Sequence, residues 1–134
     1  MLVKLRVARR KRKSGKLSVF KGREAKLNSA IFHILALKGP LTIYEVCKEA
    51  RALRQLKHTK YTNVNRRVRA LEQSRYLTKI GTRKTLAGFE AFLYELTARG
   101  YAALVFNQIN VDRFIKDAEE NEILQALAIF VSFI

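Results

Sequence analysis

Apolar residues recur along this chain at two periods, and the change of period divides it. Between residues 27 and 73 they return every three or four residues, the spacing of helices with one buried face. In "LNSAIFHILALKG", Ile31, Ile34, Leu35 and Leu37 share a face, Asn28 or Ser29 can cap the amino end, and Gly39-Pro40 stops the run. In "LTIYEVCKEARALRQL", Ile43, Val46, Cys47, Ala50 and Leu53 turn inward. Thr42 followed three residues later by Glu45 is a capping-box sequence. "KHTK" is a polar break, and "TKYTNVNRRVRALEQSRYL" supplies a third helix capped by Thr59 or Thr62. Its Tyr61, Val64, Val68 and Leu71 fall within about a quarter of the helical wheel.

After residue 75 the period drops to two. "RYLTKIGTRKT" alternates and is rich in β-favouring residues, and "LAGF" supplies a glycine turn. "EAFLYELT" alternates again, with Phe92, Tyr94 and Leu96 on one side, which predicts a hairpin. Thr97 can then cap a short fourth helix over "ARGYAALVF". In the last segment Phe114, Ile115, Ala118, Ile123, Leu124, Leu127 and Val131 form a helical apolar stripe beginning near Asp112. Beyond Gln125 this segment is apolar nearly all round. The fold class expected is mainly α with a small β-hairpin (α+β), a winged helix-turn-helix domain plus a C-terminal helix.

Helix, helix, helix, hairpin, helix is the order of a winged-helix domain, and three local sequences resemble that family. "GPLTIYEV" resembles its turn into the second helix. "NVNRRVRALEQSRYLTKI" resembles its recognition helix running into the first wing strand, where many members have Gly at the place of Arg75. "YELTARG" resembles the second wing strand followed by a capped helix. The resemblance covers residues 27–106 and is to archaeal and bacterial transcription regulators of the PadR or MarR kind. A departure is the long polar connection "ARALRQLKHTK" before the third helix. The resemblance implies a third helix entering the major groove amino end first and a wing touching backbone or minor groove. Carried over, it makes Thr62, Asn63, Arg66, Arg67 and Arg69 the groove-facing candidates and places Arg83 and Lys84 on the wing. Residue chemistry agrees: Arg can be bidentate to guanine, Asn to adenine, and Thr can meet a thymine methyl or a phosphate. Thr59 and Lys60, with Lys57, are candidate phosphate anchors at the amino end of that helix. A charged face is by itself more often merely solvated, but no acidic residue stands four positions from these arginines.

Composition moves the balance towards a polyanionic partner. The 134 residues are enough for one domain with a core, 49% are apolar, and the net charge is +16. Residues 1–26 hold eleven Lys/Arg against one Glu, residues 27–106 fourteen against five, and residues 107–134 two against five. Residues 1–26 therefore read as a basic N-terminal arm, in which the run Arg9, Arg10, Lys11, Arg12 and Lys13 repels itself unless phosphate neutralises it. Such a run can also be a solvated tail or, in a eukaryote, a nuclear-import signal, but beside a DNA-binding domain the arm is the favoured reading. The acidic 107–134 segment suits a partner other than phosphate. Its apolar stripe is more than one small domain can easily cover, which points to a dimerisation helix using Phe114, Ile115, Ile123, Leu124, Leu127 and Val131. Packing within the monomer is the alternative. The apolar run from Ile123 is too short for a membrane span, which needs about 20 residues, and it leaves open a continuation past Ile134.

Other chemistries find little support. The single Cys47 gives no intrachain disulfide and fits a reducing, cytoplasmic setting; the expected DNA partner would place the protein at the nucleoid. His33 and His58 have no companions at metal-ligand spacing, so neither metal nor cofactor is expected. The amino terminus lacks the h-region of a signal peptide. No phosphate loop, nucleophile–base pair or carboxylate pair appears, which argues against an enzyme; a nuclease with carboxylates assembled by the fold is the remaining enzymatic reading. Double-stranded DNA is the expected partner of a homodimeric regulator. A DNA-architectural or replication/recombination accessory protein and an RNA-binding winged helix are the alternatives.

Overall fold

The computed structural model describes residues 17–132, apart from the side chain of Phe130. The described residues open with a short 3-10 turn, Ser18–Phe20. Helix α1 spans Ala25–Lys38, α2 Ile43–Arg51 and α3 Tyr61–Gln73. Strands β1, Leu77–Lys84, and β2, Glu90–Leu96, form the hairpin. Helices α4, Ala98–Gln108, α5, Val111–Asp117, and α6, Glu120–Val131, complete the described chain. The mainly helical α+β class read from the sequence is the class observed.

One core joins the first three helices to the base of the hairpin. Ile31, Phe32 and Leu35 of α1 meet Val46 and Cys47 of α2, Val64, Val68 and Leu71 of α3, and Leu77, Tyr94 and Leu96 of the strands. Phe20 packs edge-on against Phe32 with ring centroids 4.9 Å apart, tying the segment before α1 to this core. The strands pair antiparallel with a bulge between Lys79 and Gly81. A further bridge, Leu41 with Tyr94, fastens β2 to the α1–α2 turn. The wing therefore grows from a fixed base, and on β1 only Leu77 is buried.

Helix ends show where local sequence governs and where tertiary contacts override it. Thr42 and Glu45 form the full capping box, and Thr97 accepts the Gly100 N–H at the start of α4. α1 instead begins ahead of Asn28 and Ser29, at Ala25, and its N-cap Glu24 makes no side-chain cap bond. Neither Thr59 nor Thr62 caps α3; its N-cap is Lys60, without a side-chain bond to the first turn. Leu37, expected inside, is 82% exposed because it falls past the end of the face that α2 and α3 cover. Leu53 and Tyr61 are likewise exposed.

α3 ends with Arg75 at φ 67°, in the left-handed region. The Arg75 N–H bonds Glu72 O at 2.9 Å and the Tyr76 N–H bonds Leu71 O at 2.9 Å. This is a Schellman motif, which glycine usually completes. The tail also departs from expectation: in place of one helix it forms α5 and α6, separated at Ala118 by an extended backbone (φ −69°, ψ 147°).

Candidate nucleic-acid interface

The exposed side of α3 follows from its buried side. With Val64, Val68 and Leu71 in the core, Thr62, Arg66, Arg69 and Gln73 lie on the opposite side of the wheel at about 100° per residue, and all are exposed. Asn63 is exposed beside them, while Asn65 is half-buried towards the wing. The Arg69 Nε–H donates to Asn65 Oδ1 at 3.2 Å, one turn back on the same helix. Lys57 and Lys60 are exposed at the amino end of α3 and Thr59 is half-buried there. The Arg51 Nε–H donates to the Thr59 carbonyl at 2.8 Å, which holds the connection from α2 against the start of the helix.

Adjacent arginines of α3 have different surroundings. Arg66 Nη1 lies 2.6 Å from Glu24 Oε2, and its side chain is 55% exposed. Arg67 is 18% exposed, with Nε 3.8 Å from the same carboxylate oxygen. The Arg67 Nε–H donates to Asn28 Oδ1 at 2.9 Å. Asn28 is buried, and its amide donates onward to the Val19 carbonyl at 2.8 Å. Arg67, expected on the groove-facing set, is thus turned to the flank of α3 and spans α3, α1 and residues 18–20. The sequence missed this because a helical wheel shows which way a residue leaves its own helix, not what waits there. Glu24 was visible as the lone acid among residues 1–26, but nothing in the sequence gave its partner.

Glu24 stands against the Arg66–Arg67 flank of α3, and Val19 is tied to the same flank through Asn28. Arg9, Arg10, Lys11, Arg12 and Lys13 themselves lie outside the described residues. The Arg66 hydrogen bond holds the Glu24 carboxyl below its ordinary pKa; burial opposes the shift, and the charges of Arg66, Arg67 and Arg23 reinforce it.

On the other flank stands the wing. Glu45 Oε1 accepts the Thr42 N–H within the capping box, while Oε2 accepts a short hydrogen bond from Arg83 Nη1. One carboxylate therefore caps the amino end of α2 and anchors β1. Arg83, expected as a wing contact, is half-exposed in this pair, and Lys84 is exposed and sits opposite Glu90 in the sheet register. Lys79 lies over the Phe92 ring, 4.3 Å from its centroid. A groove of about 770 Å³ opens between α2, α3 and the wing, with Lys48, Arg69 and Lys84 among its basic lining residues. At the tip the Thr85 N–H bonds Phe89 O at 2.7 Å and Gly88 takes φ 88°, closing a tight turn.

The expected pairing residues are gathered on α5 and α6, and none of them lines this groove. Phe114, Ile115, Leu124, Leu127 and Val131 are exposed and Ile123 is half-buried. Neither helix contributes a residue to the core. Among the described residues no group of three His, Cys, Asp or Glu is placed to hold a metal ion. No described helix is long and apolar enough to cross a membrane.

Two solved structures are similar to this fold. One is diamide-treated YodB from B. subtilis, 20% identical with a TM-score of 0.51, covering 76% of this chain and 88% of YodB. The other is Bacillus subtilis PadR in complex with operator DNA, also 20% identical with a TM-score of 0.51, covering 82% of this chain and 60% of PadR. No protein-family model and no curated protein matches the sequence. What these likenesses establish is the fold, a winged helix of the kind found in YodB and PadR.

Proposed function

We propose that this chain is a DNA-binding winged-helix transcription regulator that acts as a homodimer, with α3 in the major groove and the wing and basic arm on the backbone. The observation that carries the reading is the outward face of α3. Thr62, Asn63, Arg66 and Arg69 are exposed together on a helix whose other side is locked into the core. A rigid helix presenting Arg and Asn is the geometry that base-edge recognition needs. The uncapped amino end of α3, beside Lys57 and Lys60, supports phosphate anchoring there, since first-turn N–H groups and the helix dipole favour an anion. The net charge of +16 supplies the sequence-independent part of the attraction. The acidic, apolar tail fits subunit pairing, which would present two reading helices about one DNA turn apart.

The test is competition of a labelled duplex, enriched from a randomised pool by the intact chain, against random duplex and structured RNA at two salt concentrations. A regulator keeps its preference for the enriched duplex at moderate salt. Equal competition by random DNA would favour an architectural role, and superior competition by RNA would overturn DNA binding as the function. In the same assay Arg66→Ala or Asn63→Ala should lose about 1–3 kcal/mol on the enriched duplex and relax preference at one base position. Arg67→Ala should act differently, lowering stability by about 1–3 kcal/mol because it leaves the buried Asn28 acceptor without its donor.

A further inference from the structure

Glu24 is the sole acidic residue among residues 1–26, which carry eleven Lys/Arg. In a protein that binds DNA, a carboxylate on the reading side opposes binding unless it does something else. It does not cap α1, although it occupies the N-cap position. It lies instead at the edge of the outward face of α3, with Oε2 2.6 Å from Arg66 Nη1. That contact occupies one of the five guanidinium N–H donors and leaves the others unengaged among the described residues. Arg66 stands near the middle of the exposed face, between Thr62 and Arg69 in sequence and almost opposite Val64 and Val68 around the helix.

We infer that Glu24 is a specificity-determining positioning residue: it fixes the Arg66 guanidinium at the edge of the outward face of α3, so that the free N–H edge meets a base and not the nearest phosphate. This rests on the reading that α3 enters the major groove. An arginine without such a partner is a flexible chain that satisfies its charge on whichever phosphate it reaches first. One fixed at a single N–H loses less side-chain entropy when its planar fork engages guanine O6 and N7. The carboxylate also cancels one positive charge, so complexes that rest on phosphate contacts alone release fewer counterions. The same residue therefore strengthens the base-reading complex and weakens the indifferent one. Its depressed pKa keeps it ionised for this at neutral pH. Asn28 does the corresponding work for Arg67 through a neutral amide in a buried place, and Arg67 is removed from the reading face altogether.

The consequence is a pair of effects of opposite sign. With the duplex enriched by the intact chain and a random duplex of equal length, Glu24→Ala should weaken the first about fivefold and tighten the second about twofold at low salt. Glu24→Gln keeps an acceptor oxygen without the charge; it should regain most of the affinity for the enriched duplex while still binding random DNA more tightly. In an Arg66→Ala background, Glu24→Ala should no longer weaken binding to the enriched duplex, because its base-reading role acts through Arg66, and only the tightening by lost negative charge should remain. Changes of the same direction on both duplexes, in Glu24→Ala or in Glu24→Gln, would reduce Glu24 to a bulk charge or a structural residue and overturn the inference. So would a pool that yields no preferred sequence. Both of those outcomes leave DNA binding standing. Failure of the intact chain to bind any duplex would instead remove the DNA-binding reading, and this role with it.

Discussion

Helices α1 and α6 are similar objects by sequence and opposite ones in the fold. α1 has 14 residues and α6 has 12, and both are predominantly apolar. Yet Ile31, Phe32 and Leu35 of α1 are closed off from solvent, while Leu124 and Leu127 of α6 are 56% and 54% exposed. The difference lies in what surrounds them. α1 is met by α2, α3, α4, β2 and the 3-10 turn before it, whereas α5 and α6 follow the last element that contributes to the core. Acidic groups gather on the tail, with Asp112 and Asp117 on α5 and Glu120 and Glu122 in the first turn of α6. Hydrophobic periodicity thus makes a helix in both regions, but burial requires a second surface, and for the tail we propose that a second copy of the chain provides it.

The sharpest way to break that contrast is to remove the same methyl groups from each region. Leu35→Ala should lower the unfolding free energy by about 2–5 kcal/mol, since Leu35 is almost fully enclosed and its cavity cannot be filled from solvent. Leu127→Ala should leave the unfolding midpoint unchanged in dilute protein and shift it only where the midpoint depends on concentration. Denaturant titrations at two protein concentrations separate these outcomes. A loss at Leu127 equal to that at Leu35, independent of concentration, would mean that the tail folds back onto its own domain.

A second experiment asks what the exposed tail is for. Charged substitutions, Leu124→Glu with Leu127→Glu, should convert a dimer into a monomer in ultracentrifugation. They should also weaken binding to the enriched duplex by about 100-fold, because two half-sites are then no longer linked. Binding of each half-site should persist, since neither residue belongs to α3 or the wing. A clean monomer of the unaltered chain at tens of micromolar would sink the pairing proposal while leaving the wing domain as described.

How much of this was legible in the sequence follows the same division. The core positions of α2 and the buried positions Val64, Val68 and Leu71 came from period alone, and the Thr42–Glu45 box and the Thr97 cap from spacing alone. These are local effects, and local sequence records them. The start of α1 was misjudged because Asn28, a good capping residue by type, is recruited as a buried strut for Arg67 and Val19. The bridge from Glu45 to Arg83 spans 38 positions and that from Arg67 to Asn28 spans 39. Neither distance leaves a periodic trace. The reading face could be outlined from the wheel, but which of its arginines are held, and by what, was decided by chain segments that only the fold brings together.

The smallest effect expected lies inside the wing domain, at the junction of α3 and β1. Arg75 adopts φ 67° to let Tyr76 and Arg75 satisfy the last carbonyls of α3. The left-handed region costs a residue with a Cβ roughly 1–2 kcal/mol, and the winged-helix resemblance places Gly at this position in many members. Glycine gives back part of that gain through its larger freedom in the unfolded chain, about 0.5–1 kcal/mol. Arg75→Gly should therefore stabilise the protein by about 0.5–1 kcal/mol, seen as a higher denaturation midpoint. The Arg75 carbonyl would still accept the Thr97 hydroxyl, 2.6 Å away, because that bond uses only the backbone. Since the junction belongs wholly to the wing domain, the change should leave sedimentation untouched, the reverse of what substitutions at Leu124 and Leu127 produce. A lower midpoint would show that the Arg75 side chain contributes more through its contacts than its backbone conformation costs, and the turn would then be one where arginine is favoured over glycine.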